Sequence, residues 1–465
     1  MATPSKKIRR DKSSETLSRV NNAQDTNGNQ NDKLNAFLSW CQTKKFNLNE
    51  KVTVGKNGSC AQYGMIAVQD LEDEEVLFET PRPVLLHPQT SAISKILEQG
   101  RDQLQSNSGW VPLLLSLMFE YTNQTSKWRP YLDLCPDFDE LDQPMFWSRE
   151  EVEEELRGTG IPASVKRDEE NMSREYQSIA LPFMMKHTDT FNPEIHTLDL
   201  YKKMVAFVMA YSFTEPPSIL DDDDDSPAPP PMMVAMADIL NHISKNNAKL
   251  RFGKDSLKMV TTRKIAKGEE VFNTYGELAN WQLLHMYGFA ESYPENIYDT
   301  VDIPMSVLHK CASSVDGCDA NLLEQKWKFL QGLDLVSDDG AFILGVNGVL
   351  TETEMEMALK VICMSATEFQ EYKDNEGWSS DDESGTENLL SNDSLHKLSL
   401  PWKQLLIKCI KECLTNYKET LAEDELKLRS ESLTKRQTFA LHVRIGQKKI
   451  LCKFCELLED KSGRR

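Results

Sequence analysis

The sequence predicts an α+β protein, in which a β-rich region carries a large helical insert and an all-helical domain follows. Three observations predict it. Short strand-like runs bounded by turn residues occupy residues 51–80 and return at 249–262. Between them, residues 89–213 have helical spacing, with apolar clusters at 111–119, 176–185 and 200–213. Beyond about residue 300, segments 322–333, 352–364, 402–421 and 433–458 keep the apolar stripe of a helical bundle.

Taken in order, residues 1–32 are polar, lack the apolar stretch of a secretory leader and are expected to be disordered. Lys6, Lys7, Arg9 and Arg10 form a basic cluster, read either as a nuclear import signal or as a solvated tail. An amphipathic helix opens at Leu34, Phe37, Trp40 and Cys41. A turn at 55–58 leads into a strand at 63–68, and an acidic turn at 72–74 into another at 75–79. After the insert, strands at 249–252 and 257–262 are joined by a turn at Gly253, Lys254 and Asp255. Residues 70–78 and 264–272 echo one another, each reading as a turn that delivers a strand. This places β-structure from both sides of the insert in one unit. Five aspartates at 221–225 followed by prolines, and the Asp-, Glu-, Ser- and Gly-rich stretch 374–394, read as loops, solvated or used to dock basic partners.

Composition removes several functions. The 465 residues are enough for two or three domains, and 53 basic against 73 acidic side chains give a net charge of −20, unlike a dedicated nucleic-acid binder. No apolar run has the length of a membrane span. The ten cysteines are scattered, which favours reduced thiols in cytosol or nucleus over disulfides. Cys452 and Cys455 have zinc-ligand spacing but lack a second ligand pair, and they sit in a helical pattern that reads as buried thiols.

Three clusters place polar or flexible residues within apolar segments. Ala61, Gln62, Tyr63 and Gly64 stand at a strand start, where a ligand could approach the backbone, although a plain turn has the same appearance. An apolar run from Val234 ends in Asn241 and His242, either a ligand-facing pair or a helix cap beside a core histidine. Tyr275 and Tyr287 each precede a glycine and flank a short helix; each is structural or aimed into a site.

Together, the glycine-bearing strand start, the Asn-His pair and the following Asn-x-Tyr resemble the SET-domain family of lysine methyltransferases. Segments 108–115, 144–147, 173–179, 208–213 and 272–289 carry the likeness, which runs from about residue 34 to the C-terminus. The insert and helical C-terminal part are similar to the branch containing the Rubisco large-subunit methyltransferase. The resemblance implies a SET domain over 33–298, with the insert at about 89–213 and the acidic, proline-rich loop at about 215–233. It implies a helical substrate-binding domain over 299–465, with the second acidic loop at about 374–394. S-adenosylmethionine would be held by Ala61, Gln62, Tyr63, Asn241, His242 and Tyr287, the last against adenine, and no metal is implied. Gln62 replaces the family's usual glycine. Tyr275 would be the catalytic tyrosine at the end of the methyl-transfer channel, and Trp110, Tyr211, Ser212 and Thr214 would contact the substrate segment. The implied substrates are lysines of nuclear proteins, including the RelA subunit of NF-κB and histones, chiefly monomethylated, with no direct nucleic-acid or membrane partner.

The chemistry explains these residue types. Transfer of a sulfonium methyl to lysine needs the neutral amine, and neutralising a side chain of pKa about 10.4 at pH 7 costs about 4–5 kcal/mol. A narrow apolar channel favours the neutral form and aligns it, aromatic walls exclude water, and a tyrosine hydroxyl orients the reacting groups. The negative chain would draw basic substrate segments over long range. A non-enzymatic acidic adaptor for basic tails is the alternative, and it has no need of Asn241, His242, Tyr275 and Tyr287 together.

Overall fold

The computed structural model describes residues 32–56, 58–59, 61, 63–134, 141–216, 229–315, 317–375, 389–430 and 432–459. The basic cluster at 6–10, Gln62, the aspartate run and most of the 374–394 stretch lie outside the described residues. The architecture is α+β, in two compact units that are each discontinuous in sequence. The first comprises Met1–Glu140, Arg174–Asn241 and Asn247–Val271; the second comprises Leu141–Ser173, His242–Asn246 and Phe272–Arg465.

In the first unit, the helix over 32–43 buries Phe37, Trp40 and Cys41 along one face, and Trp40 Nε1 donates to Lys127 O at 2.9 Å. The strands are β1 (Asn47–Leu48), β2 (Val52–Lys56), β3 (Tyr63–Ala67), β4 (Val76–Pro81), β5 (Ser212–Phe213), β6 (Met232–Met233), β7 (Ala248–Phe252), β8 (Ser256–Thr261) and β9 (Glu270–Val271). They form antiparallel sheets ordered β1-β4-β8-β7, β2-β3-β9 and β5-β6. Strands from before and after the insert therefore share sheets, as the echo predicts. Phe78 lies opposite Met259 and Met65 opposite Val271, all buried.

The echo is structural as well. Leu71 and Ile265 exchange backbone hydrogen bonds at 2.9 and 3.1 Å. Glu75 Oε2 accepts from the N–H of Glu72 at 3.0 Å, and at the matching place Glu269 Oε2 accepts from Ala266 at 3.2 Å. Each carboxylate follows a residue of positive φ, 60° at Glu74 and 93° at Gly268. One turn is used twice, and the two copies pair with each other.

Within this unit the Val111–Thr122 helix is apolar on nearly every face and packs against Leu198–Tyr211, whose start is capped by the Thr197 side chain. The buried carboxylate of Glu120 is satisfied by Ser91 Oγ at 2.9 Å, Ala92 N at 2.7 Å and Ser126 Oγ at 2.6 Å.

The second unit is largely helical. Ala320–Gly332, Glu352–Cys363 and Lys435–Glu459 lie close to the predicted segments. The predicted 402–421 segment is helical as Leu400–Thr415 and ends there, and a further helix, Leu421–Leu428, starts where Thr420 and Glu423 form a reciprocal capping box. The prediction of a nearly all-helical chain beyond residue 300 needs an addition: β10 (Thr300–Pro304), β11 (Ala341–Gly345) and β12 (Gly348–Val349) form an antiparallel sheet. Ile303 and Phe342 pair across it and enter the apolar core formed by the surrounding helices. A second core joins Trp147, Leu156, Ile161, Leu284, Ala440 and Val443. Beside it, Arg444 is buried with both Nε and Nη2 on Asp424 and Nη1 on Glu155 O, while Lys448 Nζ reaches Asp424 Oδ2 at 2.6 Å. Cys452 and Cys455 lie on the last helix, half-buried, with thiol pKa values raised chiefly by burial.

Candidate functional site

The first unit gathers Ala61, Tyr63 and Asn241. Asn241 is 1% exposed and follows the short helix Ala237–Ile239 without capping it. Its Nδ2 donates to Tyr63 O at 3.1 Å and to Glu270 Oε1 at 2.6 Å, and its Oδ1 accepts from Ala61 N at 3.2 Å. Glu270 Oε2 also accepts from Ser59 N at 3.1 Å. The amide and the carboxylate thus clasp the backbone ahead of β3. Two glycines permit the approach: a Cβ at Gly58 would lie 2.4 Å from Asn241 Nδ2, and one at Gly64 would lie 2.4 Å from Glu270 Oε1. A ligand-facing amide and a helix cap were the expectations for Asn241. The side chain instead commits both amide hydrogens and one lone pair to the protein.

The same unit holds Trp110, Tyr211, Ser212 and Thr214. Trp110 stands just before the Val111–Thr122 helix, and its backbone N–H donates to Ser108 Oγ at 3.1 Å. Tyr211 ends Leu198–Tyr211 with its ring 5.3 Å from Phe207, Ser212 begins β5, and Thr214 is exposed.

The second unit gathers His242, Tyr275 and Tyr287. The imidazole stacks on the Tyr275 ring at 5.1 Å and 26°, and that ring stacks on Tyr287 at 4.7 Å and 24°. Phe289 stands edge-on to Tyr275 at 6.3 Å. His242 Nδ1 accepts the backbone N–H of Tyr275 at 3.0 Å. Burial lowers the His242 pKa to about 4 and pushes the Tyr287 phenol up to about 12, so both are neutral near pH 7. The neutral imidazole, accepting through Nδ1, carries its proton on Nε2. Asn273, bridged to His242, is 1% exposed, and neither polar atom of its amide has a hydrogen-bond partner among the described residues.

Several polar residues of this region escape a sequence reading. Glu270 had one signal: it is the charged member of the echo where the other copy has Val76. Glu291, which faces His242, and Asp299, linked to it through Asn280, lie in turn-like sequence with no periodicity to mark them, and Asn280 reads only as the start of a short helix.

Residues 62–276 match the SET domain family, and residues 318–451 match the family described as Rubisco LSMT substrate-binding. The N-lysine methyltransferase setd6 of Danio rerio is 50% identical over 441 residues, covering 92% of this chain and 96% of its own. The N-lysine methyltransferase setd6 of Salmo salar is 48% identical over 434 residues, with the same two shares. The crystal structure of the SET domain of LSMT bound to lysine and AdoHcy superposes with a TM-score of 0.64, covering 92% of this chain and 91% of that one. Their sequences are 19% identical, and the likeness is one of fold.

Proposed function

The chain belongs to the SETD6 family of N-lysine methyltransferases, and on that premise we propose that it moves a methyl group from S-adenosylmethionine to the side-chain amine of lysines in nuclear proteins. The proposed substrates include the RelA subunit of NF-κB and histones, each lysine receiving mainly one methyl. The observation that carries the reading is the His242–Tyr275–Tyr287 stack, with the Tyr275 backbone held by the imidazole.

The residues present suit the cosubstrate. Asn241 and Glu270 hold the backbone ahead of β3 in place through the room two glycines leave, Tyr287 offers a neutral aromatic face, and the buried amide of Asn273 has donors and acceptor to spend on a polar ligand. We assign cofactor binding to Ala61, Gln62, Tyr63, Asn241, His242 and Tyr287, with Asn241 acting by holding the Ala61 N–H and the Tyr63 carbonyl. When bound, S-adenosylmethionine supplies an electrophilic methyl, and the displacement needs no metal or covalent enzyme intermediate.

The chain's own residues then have three tasks. The aromatic rings of Tyr275, Tyr287 and Phe289 exclude water, which disfavours the lysine ammonium and lowers its pKa. The Tyr275 hydroxyl orients the amine, an effect expressed in the transition state. Trp110, Tyr211, Ser212 and Thr214 receive the substrate segment. The net charge of −20 speeds encounter with basic segments. The cluster at Lys6 to Arg10 supports nuclear localisation.

The test incubates the purified chain with methyl-labelled S-adenosylmethionine and a RelA fragment or core histones, with mass spectrometry counting methyl groups per lysine. The proposal expects single methyls on defined lysines. Absence of cofactor binding by calorimetry would leave the adaptor reading, and transfer only to unrelated proteins would remove the proposed substrates.

A further inference from the structure

We propose that Glu291 is a positioning residue for methyl transfer: together with Ser244 it fixes the His242 imidazole in the orientation that holds the Tyr275 backbone. The proposal rests on Tyr275 being the catalytic tyrosine. His242 has two ring nitrogens with separate duties. Nδ1 accepts the Tyr275 N–H at 3.0 Å, and Nε2, which bears the proton, faces Glu291 Oε1 at 3.6 Å. A carboxylate on that side favours a proton at Nε2 and thereby keeps Nδ1 free to accept. If the proton moved to Nδ1, two N–H groups would oppose each other and the Tyr275 backbone would lose its anchor.

Glu291 is held firmly enough to do this. Its Oε1 accepts from Ser244 N at 2.9 Å and its Oε2 from Ser244 Oγ at 3.2 Å. Its backbone is gripped at both ends by one side chain: Glu291 N donates to Asn280 Oδ1 at 2.9 Å, and Asn280 Nδ2 donates to Glu291 O at 3.0 Å. Asn280 is held in turn by Asp299, which accepts from its backbone N–H at 3.0 Å and lies against the C-terminal helix at Gly446. A Cβ at Gly446 would come within 2.3 Å of Asp299 Oδ2, so only glycine admits this approach. His242, Ser244, Asn280 and Asp299 are all buried, and the Glu291 side chain is 10% exposed. A continuous buried polar chain thus runs from the last helix through Asp299, Asn280, Glu291 and His242 to Tyr275. The hydrogen bonds along it hold Ser244, Asn280 and Glu291 in one arrangement, with the Glu291 carboxylate facing the imidazole.

The experiment compares Glu291→Leu, Glu291→Asp and Tyr275→Phe with the parent, using single-turnover methyl transfer, cofactor affinity and ¹⁵N chemical shifts of labelled histidine. The leucine variant is expected to mix the His242 tautomers and to slow transfer on the order of ten-fold or more, the scale of a misplaced catalytic group. Cofactor affinity should fall by less than the rate, because Glu291 is not among the residues assigned to the cofactor and acts on it only through His242. The aspartate variant, which withdraws the carboxylate by one methylene, should lie between, and it decides the matter if the leucine variant does not fold. A variant that reacts at the parent's rate overturns the proposal. So does slowed transfer with His242 still wholly in the Nε2–H form, which would make Glu291 merely structural. Normal turnover by Tyr275→Phe would instead sink the assignment of Tyr275, and the histidine shifts would still report whether Glu291 sets the tautomer.

Discussion

The side chain of Asn241 donates a hydrogen bond to the carbonyl oxygen of Tyr63 at 3.1 Å, across 178 residues of chain. One amide thereby ties the end of the sequence that follows the helical insert to the start of β3, which precedes it. The bond also changes what Asn241 is for, since its hydrogens point at Tyr63 O and Glu270 and not outward.

Asn241→Ala should therefore weaken cofactor binding indirectly and lower stability as well. It leaves a buried backbone carbonyl and the Glu270 carboxylate short of a partner, at a cost of about 1–3 kcal/mol. A melting curve and a titration with S-adenosylmethionine should move together. A weaker dissociation constant with an unchanged melting temperature would mean that Asn241 touches the ligand directly.

A chain ending near residue 300 should fail to fold its second unit, and so lose activity through exposed apolar surface. Ala440 and Val443 of the last helix share a core with Trp147, Leu156 and Leu284, which such a chain would leave uncovered. Size-exclusion chromatography should show aggregation. A monomer with one cooperative melt would show that the earlier segments hold that core alone.

These two cases mark how far the sequence could be read. The strands at 63–67, 248–252 and 256–261, and the sharing of one unit by β-structure from both sides of the insert, were legible because turn-bounded strand runs and a repeated turn are local signals, whereas the direct pairing of the two echo segments was not. His242, Tyr275 and Tyr287 were legible as a group, and the fold brings their rings into one stack. The β10–β12 sheet was not, since β12 is two residues long and pairs through a turn within mostly helical sequence. Nor was the sharing of one core by Trp147 and Val443, because periodicity reports which face is buried and not what covers it. Glu291 was hidden for a third reason: an isolated carboxylate in a turn is ordinarily solvated, and its bonds to Ser244 and Asn280 appear only in the fold.

Stability should depend on pH through Asp299. Burial raises this carboxyl to about 7 from an ordinary value of 3.8, despite the three N–H donors of Asn280 and Thr300. A folded-state pKa above the unfolded one means that the folded chain holds the proton more tightly, so this contribution is full below about pH 4 and is lost as pH rises to about 7. His242 acts in the opposite sense, with its contribution present above about 6.5 and lost as pH falls towards 4. The two are separated by taking the difference between the parent and Asp299→Asn. The parent should lose melting temperature relative to the variant from pH 5 to pH 7 and level off above. A constant difference would mean that Asp299 is ionised throughout.

The most direct measurement is single-turnover methyl transfer by Tyr275→Phe with saturating cofactor and substrate, alongside its melting curve. The substitution removes one oxygen and keeps the ring that stacks on His242 and Tyr287, so folding and cofactor affinity should be nearly unchanged. If the hydroxyl orients the amine in the transition state, the rate should fall on the order of 10²–10³-fold. A variant that reacts within a few-fold of the parent, or that loses stability while what remains folded turns over normally, would show that Tyr275 is a structural tyrosine and not the catalytic one.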